Sequence, residues 1–466
     1  MAVYKCSVCD TVFDEEKEGK KWEELQEEWA CHVCESGKSF WMEMKEETES
    51  PDVSKPDASG TSEDYSRPSD ELETYMADIH EMAAMGKSII EPMRTKKPVP
   101  SWDDILIKGA QLAKIPINHD VPVNTKVVIG PKAKHPLVIE TPVYITHMSF
   151  GALSREAKIA LSKGSAAVKT AMCSGEGGIL PESMENAHKY IFEYVPNQYS
   201  VTEENLKKAD AIEIKIGQSA KPGMGGHLPG NKVTKEIASI RGFPEEEDII
   251  SPSHFKDIRT RDELKDKVKW LRDASGGKPI GIKFAAGNIE ADLETALHSE
   301  PDFITIDGRA GATGASPKFV KGATSVPTLY ALVRARKFLD DKGIKNVSLL
   351  ITGGLRISSD IAKALALGAD AVAIGTAALM AIGCQQWRIC HTGKCPIGIT
   401  TQDPELRARL DVEASAKGLA NFLGATTGEL ADFARLTGKN DVHKLSKEDL
   451  CTINSEIADH IGIEHV

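Results

Sequence analysis

The stretch VSLLITGGLRISSDIAKALALGADAVAIGTAAL, Val347–Leu379, reads as a strand, a glycine turn, a helix, a second strand and a second glycine turn. Its apolar runs lack polar alternation, which marks parallel strands buried on both faces. Gly353 and Gly354 let main-chain N–H groups approach an anion, and Gly375 and Thr376 repeat the arrangement one strand later. In α/β barrels the loops after the seventh and eighth strands, with a short helix N-terminus, form a phosphate site. Two such turns one βαβ unit apart point to a flavin mononucleotide or a phosphorylated substrate, without deciding which.

Working outward, the same pattern recurs upstream. VYITHM (143–148), VKTAM (168–172), IFEYV (191–195), AIEIKI (211–216), IGIKF (280–284) and FITID (303–307) read as six further buried strands. Amphipathic stretches such as SREAKIALSKG and RDELKDKVKWLRDAS lie between them. Eight strands with interleaved helices predict an α/β fold, a (β/α)8 TIM barrel, with a doubly wound sheet as the alternative. Polar residues stand at predicted strand ends: Met148 and Ser149, Ser174 and Glu176, Lys215 and Gln218, Lys283, and Asp307. In a barrel all of them face one mouth. No G-x-G-x-x-G opens a helix after a strand, so electrons are expected from a protein donor and not directly from a dinucleotide.

The chain has 466 residues and a net charge of -12, a balance that argues against nucleic-acid binding. No apolar run is long enough to span a membrane and no signal-peptide pattern opens the chain, so a cytoplasmic location is expected. Nine cysteines in a reducing compartment point to metal or redox chemistry. Four domains follow: a small metal module over 1–45, a flexible acidic linker over 46–75, the barrel over 76–403, and a helical C-terminal tail over 404–466.

Cys6-x2-Cys9 and Cys31-x2-Cys34 are two knuckles that can close tetrahedrally around one metal. YKCSVC, WEELQEEWACHVC and GKSFW resemble rubredoxin, which implies one iron passing single electrons, with zinc as the alternative. Asp10 and Glu35 stand where rubredoxins usually have glycine, and His32 where proline is common. Later in the chain, Cys384-x5-Cys390-x4-Cys395 with Pro396 suggests an iron–sulfur cluster missing one corner.

The loop GCQQWRICHTGKCPIGITTQDPELR (383–407) resembles the cluster loop of glutamate synthases. SFGALSREAK, SGEGG, KIGQSAKPGMGGHLPGNKV, ISPSHFKDI, DGRAGATGASP and GTAALMAIGC are similar to the same family's synthase domain, in the same order. The resemblance implies FMN, a [3Fe-4S] cluster on Cys384, Cys390 and Cys395 within the loop 384–395, and reductive amination of 2-oxoglutarate with ammonia to L-glutamate via 2-iminoglutarate. It implies flavin contacts at Met148, Ser149, Ser174, Lys215, Gln218, Lys283, Asp307, Gly353, Gly354, Gly375 and Thr376. It also implies substrate handling by Glu176, Lys221 and Arg241, with Glu176 as the proton-transfer group.

Met224 and His227 replace an acidic residue and a Gln of the large synthases, which keeps open a related enzyme joining another amine, in the manner of N-methylglutamate synthase. An electron-transfer subunit of a larger complex is the remaining alternative. Nothing resembles the family's glutaminase domain. Ammonia is therefore expected free or from a separate glutaminase subunit, and electrons from a ferredoxin or reductase subunit.

Overall fold

The computed structural model describes residues 2–6, 11–26, 29–31, 33, 36–44 and 69–466. Cys9, Cys34 and residues 46–68 of the expected linker lie outside the described residues.

Eight parallel strands close into a barrel in sequence order. They are β1 (Val143–Ile145), β2 (Ala171–Cys173), β3 (Lys189–Tyr194), β4 (Ala211–Lys215), β5 (Ile280–Ala285), β6 (Phe303–Asp307), β7 (Ser348–Thr352) and β8 (Ala371–Ile374). The ring is completed where β8 pairs with β1, Ile374 against Ile145. The doubly wound alternative is thereby excluded.

Alternate residues of each strand face outward into the helical layer: Ile212 and Ile214, Ile280 and Ile282, Leu349 and Ile351 all join one large core. The inward residues divide by height. Ile191, Ala211, Phe303, Leu350 and Ala371 form an apolar floor, into which the antiparallel hairpin Val127–Ile129 and Leu137–Ile139 inserts. Above that floor the inward positions turn polar, with Glu193, Glu213, Lys215, Lys283 and Thr305. A barrel plugged below and polar above can take a ligand only at its C-terminal mouth.

The helices start where their caps stand. Ser154 accepts from the Ala157 N–H, and Thr260 and Glu263 form a reciprocal capping box. The 25-residue helix Val412–Leu436, capped by Asp411, packs along the helix Arg155–Ala167. Beyond it the tail is not wholly helical: Leu450–Thr452 pairs antiparallel with Ile105–Ile107, ahead of the barrel.

Near the N-terminus, Val3–Cys6, Val12–Asp14 and Trp41–Met44 form a three-stranded sheet. Its buried centre holds Cys6, Cys31, Phe13 and Trp41, with Tyr4, Trp22 and Trp29 around them. Trp387 and Ile389, from the loop between Cys384 and Cys390, pack against this same cluster. The small module and the late cysteine loop therefore touch.

Candidate functional site

A cavity of about 440 Å³ opens at the C-terminal mouth. It is lined by Met148, Ser149, Glu176, Lys215, Gln218, Lys221, Arg241, Lys283, Asp307, Gly353, Gly354, Gly375 and Thr376, and also by Cys384, Cys390 and Cys395. Residues separated by up to 247 positions in the chain thus share one wall, because every strand delivers its C-terminal loop to the same end. Ser174 is not on that wall. It is fully buried behind it, where its hydroxyl accepts the Glu193 N–H at 2.9 Å.

Beneath the cavity lies a buried ionic layer that sequence reasoning missed. Lys283 Nζ donates to Glu193 Oε1 at 2.6 Å, and both side chains are at most 3% exposed. His147 Nε2 lies 2.6 Å from Glu213 Oε1 as an ion pair, off the line of a good hydrogen bond. Thr305 Oγ1 donates to the other Glu213 oxygen at 2.5 Å. Burial works against the His147 imidazolium, but Glu213 outweighs it and raises the pKa to about 10. Burial likewise opposes the Glu193 carboxylate, but Lys283 and Lys215 hold it down at about 2. His147, Glu193 and Glu213 are also the one acidic or histidine group, among the described residues, gathered within 4.8 Å as a metal would need. Two cations already balance its two carboxylates, so the set reads as an ion-pair network. A signal for it exists in the sequence: IFEYV and AIEIK each bury one carboxylate in an otherwise apolar strand.

At the mouth the balance differs. Glu176 contacts Lys215 directly, and this ammonium keeps the carboxyl below its usual range against the pull of burial. The loop Gly225–His227 covers Glu176 so closely that a Cβ on Gly226 would fall 2.7 Å from its carboxylate. Burial lowers the Lys221 pKa to about 8, with Lys215 adding to the fall and Glu176 opposing it. Arg241 is 8% exposed; one Nη donates to the Phe150 carbonyl at 2.7 Å, its guanidinium stacks over Tyr199, and its Nε has no partner. A buried guanidinium with an open N–H edge suits a carboxylate.

The glycine turns fit a phosphate. Gly353 and Gly354 have φ of 122° and 90°, which side-chain-bearing residues avoid, and the helix Thr376–Ala381 begins with no side-chain cap on its first turn. The three late cysteines fit a cluster better than a single ion. They line one wall as free thiols, yet they do not gather within 4.8 Å as one metal would require. Gln386 Nε2 donates to Cys384 Sγ at 3.1 Å, a bond suited to a thiolate. In the N-terminal module Cys6 and Cys31 are both buried in one aromatic cluster.

Comparison with known proteins agrees with this geometry. The family model for the conserved region in glutamate synthase matches residues 83–440. A "Glutamate synthase large subunit-like protein" of Rhizobium meliloti is 38% identical over 426 residues, 86% of this chain and 94% of that protein. An "Archaeal glutamate synthase [NADPH]" of Methanocaldococcus jannaschii is 42% identical over 323 residues, 69% of this chain and 62% of that protein. Among solved structures, a flavocytochrome b2 double mutant with pyruvate bound aligns with a TM-score of 0.50 at 15% identity, covering 75% of this chain and 76% of that one, a likeness of fold alone. No helix among the described residues is long and apolar enough to cross a membrane. With its conserved region matched from residue 83 to 440 and a relative aligned over nearly its whole length, this chain belongs to the glutamate synthase family.

Proposed function

We propose that this protein is an oxidoreductase that makes L-glutamate by reductive amination of 2-oxoglutarate with ammonia. One observation carries the reading: a single cavity joins a phosphate-ready glycine cup, the cations Lys215, Lys221 and Arg241 with the carboxylate of Glu176 among them, and three cysteines. FMN held by Ser149, Gln218, Lys283 and the glycine turns would supply hydride to carbon 2 of the substrate. A cluster held by Cys384, Cys390 and Cys395 would supply one-electron transfer beside it, and one iron on Cys6, Cys9, Cys31 and Cys34 would do the same in the module. Contact between Trp387 and the module's aromatic core supports electrons entering at that face.

The chain's own groups have definable tasks. Arg241 and Lys221 bind the two substrate carboxylates and fix the keto carbon in the cavity. Ammonium must lose a proton before its nitrogen can add to carbon 2. Glu176, held as a carboxylate by Lys215, would take that proton. Water then leaves the carbinolamine to give 2-iminoglutarate, and a hydride equivalent at carbon 2 with one proton at nitrogen, two electrons and two protons in all, completes the amino acid. Glu193 holds the Lys283 ammonium in place on the cavity wall, where it would meet the flavin.

Met224 and His227 favour a second reading. Both line the cavity, both are about half exposed, and His227 is held to Asp248 at 2.8 Å. A rim without the acidic residue and Gln of the large synthases would suit an alkylamine in place of ammonium. Anaerobic assay of the iron- and flavin-loaded protein with a reduced donor and 2-oxoglutarate, comparing ammonium with methylamine, decides between them. Glutamate as the product from ammonium upholds the first reading; product only from methylamine replaces it with the second, and no amino acid from either overturns both.

A further inference from the structure

The loop from Cys384 to Cys395 contains Arg388, His391 and Lys394 and no acidic residue. A further cation reaches it from elsewhere in the chain. Lys232 ends the short 3-10 turn Gly230–Lys232, beyond β4, and is only 6% exposed. Its stem runs under the loop so tightly that a Cβ on Gly393 would lie 3.0 Å from Lys232 Cε. Its Nζ donates to the main-chain carbonyl of Cys390 at 2.8 Å.

Another buried lysine shows what is unusual here. Lys158 is fully buried, and its ammonium is saturated by three carbonyls, of Met148, Cys173 and Ser174, at 2.9, 2.9 and 3.0 Å. Three N–H groups meet three acceptors, which is a complete structural role. Lys232 has one carbonyl acceptor, and among the described residues no carboxylate pairs with it. Two of its N–H groups are left without an acceptor among the described residues, and the ionisable groups near enough to favour its charge are Cys390 and Cys395. An unpaired buried ammonium is costly, so a negative group is expected there. The negative charge that could meet it in this part of the cavity is the one the three cysteines would carry as ligands of a metal centre.

We propose that Lys232 is the counter-charge of the iron–sulfur centre on Cys384, Cys390 and Cys395 and raises its reduction potential. The inference rests on the reading of those cysteines as cluster ligands given above. One-electron reduction adds one negative charge to the centre. A fixed cation in a water-poor wall lowers the energy of the reduced form more than that of the oxidised form. Lys232 is thus a positioning residue: it touches a ligand's main chain and acts on the redox equilibrium through charge.

The test uses the full chain purified without oxygen, as wild type, Lys232→Gln and Lys232→Arg. Iron and sulfide are quantified, and the centre is titrated with redox mediators while its EPR signal is followed. In Lys232→Gln the ratio of reduced to oxidised centre at a fixed poise should fall about tenfold, equal to about 59 mV for one electron. Lys232→Arg, which keeps the charge, should titrate close to wild type. Loss of the centre in the Gln variant with retention in the Arg variant also upholds a counter-charge. An intact centre in Lys232→Gln with an unmoved potential overturns the proposal, as does equal loss in both variants, which marks a packing role. A wild-type protein that carries no iron–sulfur centre at all overturns instead the ligand reading beneath it.

Discussion

Two charged layers sit one above the other inside the barrel, and they are built to opposite rules. In the lower layer, His147 and Lys283 face Glu193 and Glu213, two cations against two anions, all nearly excluded from water. In the upper layer, Lys215, Lys221 and Arg241 share the wall with Glu176 and Asp307, three cations against two anions, and only Lys215 is paired directly with a carboxylate. The lower layer is complete as it stands. The upper one keeps Lys221 and Arg241 without a carboxylate of their own, which suits an anionic ligand. Stability resides where the charges are settled, and recognition where they are not.

The comparison can be broken from below first. Glu193→Ala leaves Lys283 buried without a partner and should cost about 3–5 kcal/mol of stability, read as a fall in the midpoint of thermal unfolding. A cost under about 1 kcal/mol would contradict a paired lower layer. The same pair predicts an acid limb. The Glu193 pKa is depressed to about 2 in the folded chain, so its contribution is present above its unfolded value and lost as pH falls toward 2. In the Glu193→Ala variant that part of the acid loss should be missing.

The upper layer should respond in binding and not in folding. Arg241→Lys removes the planar two-pronged donor while keeping the charge. The specificity constant kcat/KM for 2-oxoglutarate should fall about 100-fold, corresponding to the loss of a charged hydrogen bond of about 1.5–3 kcal/mol, with the unfolding midpoint little moved. A smaller effect is expected from pH. Lys221 is charged below about 8 and neutral above it, so KM for 2-oxoglutarate should rise as pH passes through 8. Lys221→Arg should flatten that rise, and a profile that stays the same in this variant would remove Lys221 from the substrate site. The smallest effect lies outside both layers. Trp387→Ala should weaken the seat of the N-terminal module by about 1–2 kcal/mol, seen as slower cluster reduction by the module at unchanged kcat/KM for 2-oxoglutarate.

Much of this was legible in the sequence for a physical reason. Strands covered on both faces are continuous apolar runs, and glycine turns punctuate them, so the barrel announces itself locally. Reading failed where local signals conflict. VKTAM looks like one strand from Val168, but Val168 ends the preceding helix and Lys169 turns with φ of 55°, so the strand begins at Ala171. Ser174 stands at a strand end, yet its side chain turns inward to the Glu193 N–H. His147, Glu193 and Glu213 were missed because a single charge in an apolar run resembles noise until its partner on another strand is known. The hairpin floor at 127–139 and the contact of Trp387 with the module are tertiary facts, carried by no local pattern.

The pairing of Ile105–Ile107 with Leu450–Thr452 has a consequence in time. Some 345 residues separate the two strands, so during synthesis the first must wait for the second while every barrel strand has already left the ribosome. Loop closure over such a span is slow and comes last. The helix Val412–Leu436, which braces the first βα unit, is equally late to arrive. A nascent chain therefore has a window in which the barrel strands exist but the strap across the outside does not.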